Sequence, residues 1–249
     1  ATPQGPQATP LVKVSWQVAT DADFGDVVRA GEVQTGPAQD WTVKVDVTGL
    51  EPGARYYYRF AVGAAVSETG RTRTLPAGSV ETARFAVCSC TNYPFGYFNV
   101  YDHIARRDDL DAVIHLGDYI YEFGADGFGG PEGDALGRVH QPAHEIVSLQ
   151  DYRVRHRQYK SDPASRAMHA AHPLIAIWDD HETANNAWEG GAENHQPETE
   201  GAWAARCAAA MQAYYEYMPV REPAGRGATA LYRAYSWGDL ATLVSIETR

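Results

Sequence analysis

Ala112-Val-Ile-His-Leu-Gly-Asp-Tyr-Ile-Tyr-Glu122 opens with a short apolar run, turns at a glycine and then presents an aspartate. Four or five apolar residues bounded by turn signals read as a buried strand, here 112–116. Glycine lets the chain bend sharply, so Asp118 is delivered to the rim of the sheet that the strand joins. Tyr121 reaches the same point if the loop begins with a helical turn. Two other segments share this design. The predicted strand 84–88 ends in Cys88-Ser-Cys-Thr-Asn92, and the predicted strand 173–178 ends in Trp178-Asp-Asp-His-Glu-Thr-Ala-Asn-Asn186. A helix is predicted over 96–107, and Ser148 with Asp151 forms a capping-box start for another. Strand–helix–strand order with apolar strands predicts a mixed or parallel sheet covered by helices. Ligands of such sheets sit beyond the carboxyl ends of the strands, so all three motifs are predicted to meet on one edge.

Upstream the grammar differs. Residues 11–18, 27–33, 41–47, 54–62 and 68–74 read as short strands between turn residues, with clear alternation in Trp41-Thr-Val-Lys-Val-Asp-Val47. Strands at this spacing predict a small antiparallel sandwich. Leu50-Glu-Pro-Gly-Ala-Arg-Tyr-Tyr-Tyr-Arg-Phe60 resembles the strand-joining corner of fibronectin type III domains. With 75–79 as linker, the expected division is a sandwich over 1–78 and an α/β layered domain over 79–249. Downstream, 117–147 reads as a long functional loop. A helix over 199–217 and a hairpin of 231–237 with 240–247 complete the pattern. The basic residues Arg153, Arg155, Arg157 and Lys160 read as a solvated helix face, and His140 and His144 as exposed loop histidines.

Composition narrows the function classes. The formal net charge of −11 argues against a nucleic-acid partner, which requires a basic face. No apolar run approaches the roughly 20 residues that cross a bilayer. Residues 1–10 lack a basic n-region and an apolar h-region, and read as a mature N-terminus or a cytosolic start. Three cysteines exclude an all-disulfide framework.

The acidic pair Asp179–Asp180 beside His181 repels itself unless a cation or another partner compensates. Asn185 and Asn186 add neutral oxygens or donors nearby. Together, Phe85-Ala-Val-Cys-Ser-Cys90, Gly96-Tyr-Phe98, His115-Leu-Gly-Asp-Tyr-Ile-Tyr-Glu122 and Trp178-Asp-Asp-His-Glu182 resemble the PhoD-like alkaline phosphatase family, a branch of the metallophosphoesterases. The resemblance runs from about residue 84 onward, with the N-terminal strands matching the family's smaller domain.

The resemblance implies hydrolysis of phosphate esters at a centre of Fe(III) and Ca2+. It places Cys90 and Tyr121 on iron, Asp118 as the bridge, Asp180 on the second metal, and His181 beside the phosphate; Asp180, His181 and Asn185 form the expected catalytic group. Thiolate and phenolate suit a trivalent ion, and carboxylate and amide oxygens suit a hard divalent one. Metallophosphoesterases complete the site from the second half of the fold, whereas after His181 this sequence offers only His195. The expectation is therefore the N-terminal part of a longer, exported, monomeric enzyme, whose substrate is a small-molecule, lipid or cell-wall phosphate ester. A phospholipase D-like phosphodiesterase and an inactive exported binding module are the competing expectations.

Overall fold

The computed structural model describes residues 11–222 and 231–246. The reading of 1–10 as a processed terminus and the last residue of the 240–247 strand lie outside them. The N-terminal strands β1 (Val12–Ala19), β2 (Val27–Thr35), β3 (Arg55–Val62), β4 (Ala65–Val66) and β5 (Gly70–Arg73) form one antiparallel sheet, ordered β2-β1-β3-β4 with β5 also on β3. Among the described residues this is a single sheet, which corrects the expected pair of facing sheets. Residues 41–47 explain the difference. They keep their alternation but join no ladder. Lys44 donates to the carbonyls of Tyr215 and Val220, and Arg221 donates to Asp46 at 2.8 Å. Side-chain contacts with the C-terminal half thus replace a second sheet, after a turn through left-handed Asp40 and Trp41 (φ 46° and 64°).

The strands β6 (Phe85–Cys88), β7 (Ala112–His115) and β8 (Leu174–Ala176) form a parallel sheet in the order β6-β7-β8. Cys88 pairs with His115, and His115 with Ala176, so the three strands end level. Helix α1 (Asn99–Ala105) connects the first two; α2 (Gly130–Leu136), α3 (Leu149–Ser161) and α4 (Pro163–Ala171) lie between the second and third. Beyond β8 come α5 (Pro197–Glu200), α6 (Trp203–Tyr217) and the hairpin β9 (Arg233–Trp237)–β10 (Ala241–Ser245). The predicted helix 96–107 starts late because Gly96 takes φ 153°, and 199–217 divides at Gly201, φ 85°. The helices over Gly130–Leu136 and Pro163–Ala171 were not anticipated. The second carries a legible start, with Pro163 in its first turn and Asp162 accepting from the Ala164 N–H at 2.9 Å.

One core joins the sheet to α3 and α6. Val113, Tyr152, Tyr159, Met168 and Tyr214 are fully or almost fully buried, and Trp178 packs edge-on against Tyr214 at 5.3 Å. Burial of an aromatic side chain here contributes on the order of 2–3 kcal/mol. His115, the polar residue in β7, is buried because its Nε2 meets the Tyr101 hydroxyl at 2.8 Å, and burial holds its pKa down at about 3. The basic helix is not a solvated face. Arg153 makes two bonds to Glu216 at 2.6–2.7 Å, Arg155 is fully enclosed, and Lys160 Nζ meets His169 at 2.9 Å. Arg157 alone of the four fits the expectation, reaching the exposed surface beside Asp40.

Candidate metal centre

The loops leaving β6, β7 and β8 are stitched together by backbone contacts. Cys90 N–H donates to the Gly117 carbonyl at 3.1 Å and Thr91 N–H to that of Asp118 at 2.8 Å. Gly117 has φ 106°, and a Cβ there would lie 2.4 Å from the Asp179 nitrogen, so a residue without a side chain is required where the β7 and β8 ends touch. Cys90, Asp118 and Asn186 also hold left-handed backbone, φ 58°, 53° and 52°. Such conformations cost about 1 kcal/mol or more at non-glycine residues and cluster at functional sites.

These turns aim several donors at one place. Asp118 Oδ2 receives the Cys90 thiol at 3.4 Å and the Tyr121 hydroxyl at 3.3 Å. Asp118, Asp180 and His181 each bring a ligand-type atom within 4.8 Å of the others. Asp118 Oδ1 is buried with no hydrogen-bond partner. A buried polar atom left this way costs about 1–3 kcal/mol, more when charged, so its retention points to a ligand. Of the residues singled out in the sequence, Asn185 stands apart. Its backbone N–H goes to Glu122 at 2.6 Å and its amide to Glu193 at 3.4 Å. The neighbouring Asn186 N–H instead donates to Asp180 Oδ2 at 2.5 Å.

Burial and mutual repulsion shift the donors together. Burial pushes the Asp118 carboxyl up, and Asp180 and Asp179 push it further against the opposing His181. Burial, then Asp118, raises the Cys90 thiol; burial, then Asp118 and Cys90, raises the Tyr121 phenol. Each of these groups would bind a cation as an anion, so a cation reverses every one of the shifts. Burial alone would lower His181, but the hydrogen bond and charge of Glu122 outweigh it and raise the imidazole.

Behind the donors lies a polar scaffold whose roles sequence reasoning missed. Glu122 is fully buried; its Oε2 meets His181 Nδ1 at 2.7 Å, and its Oε1 accepts from Asn185 N and, at 3.0 Å, from Asn194 Nδ2. Tyr121 stacks on the same imidazole at 4.2 Å. Glu182, also fully buried, accepts the backbone N–H groups of Asp118, Tyr119 and Asp179 at 2.6–3.0 Å. Burial drives its pKa up to about 8 against the opposing pull of those N–H groups. Arg155 donates to the Tyr121 carbonyl and to that of Gln141. Both acids stood inside the quoted motifs, but Glu122 meets His181, Asn185 and Asn194 and Glu182 meets Asp118 and Tyr119, all about sixty to seventy residues away, which no spacing reveals.

The remaining histidines are elsewhere. His195 is buried against Glu200 at 3.1 Å and Arg206 at 3.4 Å. His140, expected to be exposed, is enclosed and bonded to the Tyr159 hydroxyl at 3.0 Å, while His144 is exposed beside Asp151.

Comparison with known proteins identifies two matching family descriptions. PhoD-like phosphatase covers residues 85–249, and the PhoD-like phosphatase N-terminal domain covers 1–76. Alkaline phosphatase D of Bacillus subtilis (strain 168) is 44% identical over 243 residues, 96% of this chain and 40% of that protein. A solved structure described as that of PhoD superposes with a TM-score of 0.88 at 42% identity, over 98% of this chain and 47% of the other. A purple acid phosphatase from yellow lupin seeds, at 12% identity and a TM-score of 0.50, shares the fold alone over 91% of this chain and 38% of its own. The chain spans less than half the length of these relatives.

Proposed function

The chain belongs to the PhoD-like phosphatase family, and on that premise we propose that it hydrolyses phosphate esters at a metal centre held by Cys90, Asp118, Tyr121 and Asp180. The observation that carries the proposal is the buried, unpartnered Asp118 Oδ1 at a point where a thiol, a phenol, a second carboxyl and an imidazole converge. The donor chemistry fits the group. Thiolate and phenolate with a shared carboxylate suit Fe(III), and Asp118 with Asp180 suits Ca2+. When bound, these ions would polarise a phosphoryl oxygen and supply an activated water.

The chain's own residues do the rest. Glu122 accepts a hydrogen bond from His181 Nδ1–H, which leaves Nε2 for the ester. Tyr121 holds the ring by stacking, so the imidazole meets the departing alkoxide without searching rotamers. In its protonated form His181 stabilises negative charge and supplies the proton the leaving oxygen needs. Asp180 is steadied by the Asn186 N–H, and Glu182 fixes the left-handed turn of Asp118. The division at residues 78 and 79 and an exported location belong to the same reading. The change from antiparallel to parallel strands supports the first, and the family resemblance the second. Among the described residues no helix is long and apolar enough to cross a membrane.

Metal analysis of the purified protein, paired with hydrolysis of p-nitrophenyl phosphate, tests the proposal. His181→Ala is expected to lower turnover by about 10²- to 10⁴-fold while bound iron and calcium stay constant. Full turnover in that variant removes the acid role, and a protein that takes up neither metal removes the centre.

A further inference from the structure

Two loops from different strands bring a pair of exposed aromatic rings to the mouth of the centre. Phe95 belongs to the turn after β6 and Phe128 to the long loop after β7; their centroids are 4.9 Å apart, nearly perpendicular. Within this chain they are 45% and 53% exposed. From this pair an unbroken series of ring contacts leads inward. Phe128 lies 6.3 Å from Tyr121 and 5.8 Å from Phe123, and those two rings lie 4.2 Å and 5.6 Å from His181.

The loop is seated by glycines. A Cβ on Gly129, φ 92°, would stand 3.2 Å from Pro94 Cβ, and one on Gly133 would stand 2.9 Å from it. Close approach of α2 to the Phe95 turn therefore depends on absent side chains, and it sets Phe128 against Phe95. The Arg138 guanidinium, which stacks at 3.6 Å on Tyr93 in the same turn, is buried and paired with Asp162 at 3.0 Å. Its charge is thus turned towards a carboxylate on one side and the Tyr93 ring on the other. An aromatic pair seated beside the reactive centre suits a flat or apolar group.

We propose that Phe95 and Phe128 form the platform on which the alcohol portion of the phosphate ester rests, and that it favours aryl or other apolar alcohols over small polar ones. The inference rests on the phosphoesterase reading and adds the substrate's organic half to it. Phenylphosphonate and methylphosphonate test it, because they carry the same charged head, offer no ester bond to cleave, and differ in the ring alone.

Their dissociation constants are to be measured by calorimetry on the full-length, metal-loaded protein. The native protein is expected to favour the phenyl compound by roughly two- to tenfold, the range that one aromatic contact supplies. The double variant Phe95→Ala/Phe128→Ala should bring that ratio close to one. Phe95→Leu/Phe128→Leu, which keeps apolar bulk in place, should leave an intermediate ratio and covers the case of a poorly folding alanine variant. A native ratio of one, or a preference untouched in both variants, overturns the platform while the hydrolytic reading stands. Metal-loaded protein that binds neither phosphonate and turns over no ester overturns both.

Discussion

In the N-terminal sheet polar groups close on one another. Arg59 sets two guanidinium nitrogens on Gln17 Oε1 at 2.7–2.9 Å across the β1–β3 pair, and the Tyr56 hydroxyl takes the Glu51 N–H at 2.9 Å. At the rim of the parallel sheet the supporting groups are satisfied just as fully: Glu122 and Glu182 have partners for both oxygens. Asp118, which they surround, keeps one buried oxygen without any. The contrast separates scaffold from site. Other buried polar atoms also lack a partner, among them the Tyr214 hydroxyl and both nitrogens of His156; what sets the Asp118 oxygen apart is that a thiol, a phenol, a second carboxyl and an imidazole converge on the same carboxyl.

Three substitutions sharpen or break that comparison. Asp118→Ala has the largest expected effect. Bound metal and p-nitrophenyl phosphate hydrolysis should fall together by about a hundredfold or more, beyond the loss typical of an outer-shell partner. Unchanged metal content in this variant would place the leftover oxygen outside any centre. Glu122→Gln comes next. It removes the charge holding His181 Nδ1 while keeping the shape, and should cost about 10- to 100-fold in kcat with metal retained. A loss of fold stability without a change in kcat would return Glu122 to scaffold duty alone. Tyr56→Phe is the smallest. It should cost about 1 kcal/mol in denaturant unfolding, the net value of one hydrogen bond, with kcat unaltered. Reduced turnover there would show that the two regions are coupled.

What the sequence revealed follows the same division. The three parallel strands and their terminal motifs were legible because each is a short apolar run closed by glycine, cysteine or paired acids, all local signals. Residues 41–47 misled because alternation reports which side chains are covered and not what the backbone pairs with; here the segment is tied by Lys44 to carbonyls in and just beyond the end of α6. Arg153 and Arg155 looked solvated because charge suggests exposure. Their partners, Glu216 and the carbonyls of Tyr121 and Gln141, are remote in sequence. Cys90 and Asp118 were visible as residue types. Their left-handed backbone, at whose turns the Cys90 thiol meets the Asp118 carboxylate, was not.

Gly117 carries one further consequence. With no methyl between the β7 loop and the Asp179 nitrogen, the two acidic strand ends abut through main chain, and main chain does not flex as side chains do. The gauge of the centre is therefore cut into the backbone itself. A bulkier residue at 117 would act as a shim, prising the β7 loop from the Asp179 main chain and changing the spacing of the carboxyls that follow each strand.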